Sequence, residues 1–80
     1  MTREEALKIV NDIFIDILDN EDIKLELSSN SEDIEEWDSL NHIQLVVAVE
    51  KKFKQKFTAS EIRNWTNVGD MIDMILSRMG

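Results

Sequence analysis

Residues 36–45, Glu36-Trp37-Asp38-Ser39-Leu40-Asn41-His42-Ile43-Gln44-Leu45, mark the point where a long acidic segment meets an apolar helix. From Leu40 onward, Ile43, Leu45, Val46, Val47, Ala48, Val49 and Phe53 continue an apolar pattern that covers more than one helix face. A surface helix needs only a single stripe. This helix, starting near Ser39, is therefore expected either to lie centrally in a bundle or to keep apolar surface for a ligand or partner. Asp38 or Ser39 is placed to cap it. Its far end carries Lys51, Lys52, Lys54 and Lys56, a sign of charge that suits a helix C-terminus.

Upstream, residues 19–38 hold nine acids against the single base Lys24, a net of −8 that equals the charge of the whole chain. Within this segment Ile23, Leu25 and Leu27 alternate with Asp22, Lys24 and Glu26. That period of two is a local strand signal. No second stretch repeats it, and a lone strand leaves its backbone unpaired. The segment reads instead as a long ordered loop pinned by its apolar residues and Ile34, a feature often tied to function. Before it, Thr2 and Glu5 have capping-box spacing. Ala6, Leu7, Ile9, Val10, Ile13, Phe14, Ile17 and Leu18 form one broad stripe, with Ile15 off it and expected to be exposed. The first helix should span Arg3 to Leu18.

Downstream, Thr58 and Glu61 repeat the capping-box spacing and open a short helix over Ala59 to Asn64. Thr66 or Asn67 then caps a last helix, whose Val68, Met71, Ile72, Ile75, Leu76 and Met79 keep helical spacing. The expected fold is all-α: three main helices and one short one in a small bundle, with the long loop between helices 1 and 2. Residues 1–80 make a single domain, with Ile13, Phe14, Ile17, Val47, Phe53, Val68, Ile72 and Ile75 as its expected core.

Composition supports this class and removes others. The 80 residues include no proline and only two glycines, few turn residues for a small β protein. The absence of cysteine excludes disulfides and thiolate metal sites, and a single histidine excludes a multi-histidine one. A net charge of −8 opposes nucleic-acid binding and anionic membrane surfaces. Without a long apolar run or a secretory leader, no membrane insertion and a cytoplasmic location are expected.

Few residues offer catalytic chemistry. Asp38, Ser39 and His42 include the residue types of a hydrolase triad, but a triad also needs an oxyanion hole and a pocket. An 80-residue bundle has little room for them. His42 is read as a surface or partner-facing side chain. Asp19-Asn20-Glu21-Asp22 lacks the glycine and distal glutamate of a calcium loop, so no metal site is assigned.

With these residues in place, the chain resembles the acyl carrier protein family. Asp38-Ser39-Leu40 at the start of a second helix resembles that family's prosthetic-group site. Glu50, Phe53 and Val68-Gly69-Asp70 stand at matching positions, and the topology fits over nearly the whole length. The resemblance implies a carrier without catalytic residues. A phosphopantetheinyl transferase, using coenzyme A and Mg²⁺, would place 4′-phosphopantetheine on Ser39, whose helix terminus favours the resulting phosphodiester anion. Asp38 would help the transferase bind Mg²⁺. Leu40, with Ile43 or Val46, would contact acyl-loading and acyl-transfer enzymes. Trp37 is either a loop-packing residue or a partner contact. The carrier is expected to be a monomer.

One departure stands out. Carriers of fatty acid synthesis usually place acids along the second helix, where this chain has Asn41, Gln44, Lys51 and Lys52, keeping only Glu50. A dedicated carrier for another pathway, bearing a specialised acyl, aminoacyl or hydroxyacyl group, fits that pattern better. The alternative is a carrier-like interaction module that is never modified, and a small hydrolase using Ser39 and His42 is a distant third.

Overall fold

The computed structural model describes residues 1–30 and 32–79, with the side chain of Ser39 outside the description. Four helices follow in order: α1 (Arg3–Leu18), α2 (Ser39–Phe53), α3 (Ala59–Asn64) and α4 (Val68–Met79), with no strand among the described residues. The bounds of α1 and α3 coincide with those expected from periodicity and capping, and α2 and α4 start where expected.

The capping chemistry explains the bounds. Thr2 accepts from the Glu5 backbone N–H at 3.2 Å while the Glu5 carboxylate accepts from Thr2 N–H at 3.0 Å. The second bond holds the Glu5 carboxyl below its usual pKa. Thr58 and Glu61 make the same reciprocal pair, at 3.1 and 2.8 Å. Asn67, rather than Thr66, caps α4 by accepting from Asp70 N–H at 2.9 Å. Asp70 in turn accepts from both the backbone N–H and the hydroxyl of Thr66, which lowers its pKa. Neither α1 nor α2 ends on glycine: Asp19 and Lys54 hold left-handed backbone, with φ of 52° and 55°.

The helix α1 packs against both α2 and α4. Ala6, Val10 and Phe14 from α1, Leu45 and Val49 from α2, and Val68, Met71, Ile72 and Ile75 from α4 form the buried centre. The core expected from sequence needs adjusting. Phe14, Val68, Ile72 and Ile75 are buried, but Ile13, Ile17 and Phe53 only flank the cluster, and Val47 is exposed. Ile15, expected outside, packs against the cluster instead. The stripe of α1 is wider than a two-helix contact requires because the 19–38 loop covers part of it.

That loop is ordered by its own apolar residues and by α4. Ile23, Leu25 and Trp37 are buried, and Leu25 N–H donates to Asn11 Oδ1 of α1 at 2.7 Å. Two first-turn N–H groups of α4, which have no acceptor within a helix, find them in the loop. Val68 donates to the Ser29 carbonyl at 2.8 Å and Gly69 to the Leu27 carbonyl at 2.7 Å. The approach at Gly69 is so close that an added Cβ would lie 2.8 Å from the Leu27 carbonyl oxygen.

Gly69→Ala should therefore lower stability by roughly 1–3 kcal/mol through overpacking, although alanine in a helix ordinarily gains about 1 kcal/mol over glycine. Denaturant melts decide it, and a stabilised variant would show that the loop does not press on α4. Phe14→Ala should cost about 3–5 kcal/mol, and Phe53→Ala clearly less because its ring is only partly buried. Equal losses in the two melts would contradict this packing.

Candidate functional site

The N-terminus of α2 stands where the loop, α2 and the start of α4 converge. Asp38 caps it: Oδ1 accepts from Asn41 N–H at 2.8 Å, and the Asp38 carbonyl accepts from His42 N–H at 2.8 Å. Asn41 Nδ2 donates back to the Glu36 carbonyl at 2.8 Å, tying the helix to the last turn of the loop. Ser39 is the first helical residue. On either side of it Asp38 and Leu40 are exposed, so the terminus opens to solvent.

Trp37 and His42 hold this terminus on the core. Trp37 meets Phe14 edge-on, with ring centroids 4.9 Å apart. On its other side the indole stacks with His42 at 5.8 Å, and its Nε1–H donates to His42 Nδ1 at 2.9 Å. The acceptor nitrogen must be unprotonated, and desolvation likewise lowers the His42 pKa. His42 is therefore not the surface side chain expected from sequence, and its Nδ1 is engaged by an indole rather than by a serine or a carboxylate.

Beside the terminus lies an open cleft of about 480 Å³, walled by Asp38 and His42 on one side and by Trp65, Thr66, Asn67 and Met71 on the other. Its lining is both polar and apolar. The Trp65 Nε1–H is buried without an acceptor among the described residues, while its ring meets Phe57 edge-on at 5.1 Å. Nothing in the local sequence around Trp65 marked it as a neighbour of Asp38, 27 residues away.

The expected contact residues separate into two groups. Leu40 and Ile43 are 69% and 63% exposed, whereas Val46 and Trp37 are only 5% and 8% exposed. Val46 and Trp37 thus face the interior, while Leu40 and Ile43 face solvent. Val47, assigned to the core from sequence, joins them at 41% exposure. Among the described residues no group of His, Asp and Glu side chains converges as a metal site, and no helix is long and apolar enough to cross a membrane.

This four-helix fold is shared with known carrier domains. Residues 8–75 match the family model described as "Phosphopantetheine attachment site". The solution NMR structure of a holo acyl carrier protein from Geobacter metallireducens superposes with a TM-score of 0.86 and is 34% identical in sequence, over 92% of this chain and 85% of that one. The chain therefore belongs to the acyl carrier protein family of phosphopantetheine-attachment domains. It is a carrier rather than a catalyst, and its cofactor is covalently attached 4′-phosphopantetheine.

The Trp37–His42 bond has a pH signature. A native pKa lowered from the ordinary 6.5 means that the unfolded chain binds the proton more readily. The stability it contributes is whole above pH 6.5 and is lost as pH falls from there through the native value. His42 is the sole histidine, so between pH 7.5 and 5.5 it dominates side-chain titration. Its NMR titration should have a midpoint below 6.5, and His42→Asn should flatten the fall in stability across that window. A midpoint at or above 6.5 would overturn the assignment.

Proposed function

We propose that Ser39 bears the 4′-phosphopantetheine arm and that the protein carries a specialised acyl, aminoacyl or hydroxyacyl group rather than serving general fatty acid synthesis. The observation that carries the site is the placement of Asp38-Ser39-Leu40: the only serine at the start of a main helix stands between two exposed residues at a terminus braced from beneath by Trp37 and His42.

The attachment follows from these surroundings. Ser39 Oγ attacks the pyrophosphate of coenzyme A at the phosphorus nearer the pantetheine. A new P–O bond forms to the serine, the bond to the adenosine 3′,5′-bisphosphate half breaks, and the hydroxyl proton passes to the transferase. Asp38 supports the step with an exposed carboxylate next to the nucleophile, suited to sharing the transferase's Mg²⁺. The first-turn N–H groups of α2 favour the phosphodiester anion left on the protein. Once attached, the group supplies a flexible arm ending in a thiol that holds its cargo as a thioester. Rigidity is this chain's own contribution. Asp38, Asn41 and Glu36 lock the terminus by three short hydrogen bonds, so the attachment point is presented in one geometry to successive enzymes.

Two observations support a specialised cargo. The cleft next to the attachment point is lined by Asp38, His42, Thr66 and Asn67 as well as by apolar groups, a surface that suits a short polar acyl group better than a long alkyl chain. The acids that a fatty-acid carrier presents along its second helix are replaced here by Asn41, Gln44, Lys51 and Lys52. The corresponding partners are a phosphopantetheinyl transferase and the loading and transfer enzymes of that pathway.

Incubation with coenzyme A, Mg²⁺ and a broad-specificity transferase should add one arm by intact mass. Peptide mapping should place it on Ser39, and Ser39→Ala should abolish labelling while losing no more than about 1 kcal/mol of stability. An arm on another residue, or no arm at all on the folded protein, would refute the site.

A further inference from the structure

The outward face of α2 changes character along its length. Leu40, Ile43 and Val47 are exposed at spacings of three and four, which puts them on one line at helical pitch. The same line continues to Lys51, and Lys54, the left-handed residue just past the helix, follows it; both are exposed. No free acid interrupts it. Glu50, the one carboxylate of α2, lies at the edge of this face and accepts the Phe57 N–H at 2.8 Å. No ion pair among the described residues engages Lys51 or Lys54; the two pairs present join Arg3 to Asp73 and Arg78 to Glu61. The face is thus an apolar ridge that begins at the attachment step and ends in two uncommitted ammonium groups. From Leu40 to Lys51 it runs about 16 Å at 1.5 Å per residue. Lys52, by contrast, points well away from the line, one residue being 100° of helical turn.

We infer that this face docks partner proteins presenting an apolar groove for Leu40, Ile43 and Val47 and an acidic cluster about 16 Å from the mouth of the active site, which pairs with Lys51 and Lys54. The argument is charge complementarity. An apolar strip alone would accept many grooves, but two unpaired cations at one end select the sign of the partner and fix the direction in which it lies along the helix. Direction matters for a carrier, because a partner docked the other way round would put its active site at the far end of α2. The inference rests on the carrier reading for its purpose, but its test needs no arm.

The probe is a condensing enzyme with a basic rim around its carrier entrance, used as it is and with the rim residues farthest from the entrance replaced by glutamate. The unmodified chain, labelled with ¹⁵N, is titrated with each. Wild type should bind the acidic-rim form at least tenfold more tightly, with shifts centred on Leu40, Ile43, Val47 and Lys51. The combined Lys51→Glu and Lys54→Glu variant should reverse the preference, and Lys52→Glu should change it little. The preference should shrink at 500 mM salt, where exposed charges are screened within a few ångströms. Tighter binding to the basic rim, shifts elsewhere, equal effects of all three lysines, or no saturable binding to either form would each overturn the proposal. Intact mass after transferase treatment reports separately on Ser39, so a failure there and a failure here are distinguishable.

Discussion

Two hydrogen bonds from the first turn of α4 to loop carbonyls, Val68 to Ser29 and Gly69 to Leu27, determine where twenty otherwise irregular residues lie. A helix start normally leaves such donors to water or to a capping side chain. Here they fasten the middle of the loop to the bundle, with Asn67 capping the next position. Leu25 is then held against α1 through Asn11, and Ile23 reaches the core. Most of the loop's acids remain outside while Ile23, Leu25 and Trp37 close the bundle. Without that anchor Trp37 would have no fixed approach to Phe14, and the start of α2 no floor.

The start of α2 shows how a small bundle makes a rigid platform. Trp37 touches α1 through Phe14 and α2 through His42. Asn41 returns to the loop through the Glu36 carbonyl. Three segments are thereby joined within a few residues of Ser39, and the exposed Asp38 and Leu40 flank a terminus that rests on buried aromatic packing. A carrier that must meet several enzymes in turn gains from such a platform, since each enzyme encounters the same geometry and the mobility belongs to the arm.

Much of this was legible in the sequence because it is local. Capping boxes at Thr2–Glu5 and Thr58–Glu61 and the 3.6-residue stripes located the helices, and the absence of a partner for Ile23–Leu27 argued correctly against a strand. The excess apolar pattern of α2 left open whether the helix is central or keeps apolar surface outside, and the structure gives it one buried and one exposed apolar face. Periodicity does not say which face is which, so Val46 and Val47 were exchanged: Val46 is buried and Val47 exposed. Trp37 was similarly ambiguous, and His42 was read as a surface side chain. Their pairing depends on the loop's final turn bringing an indole over the first turn of α2, a tertiary event with no repeat to reveal it. The cleft and Trp65 were illegible for the same reason, since α3 has to fold back past α2 before they face Asp38.

The left-handed residue that ends α2 has an evolutionary consequence. Glycine is the usual occupant of such a position, and a lysine there carries a strain of about 1–2 kcal/mol. Drift towards thermal robustness would favour glycine at Lys54. Such a change would erase the last positive charge of the exposed ridge along with its strain. If that ridge meets acidic partners, selection on encounter opposes selection on stability at this one codon, and a lineage living at higher temperature would have to find its extra robustness elsewhere, for instance at the partly buried Phe53 or at the exposed Arg3–Asp73 pair.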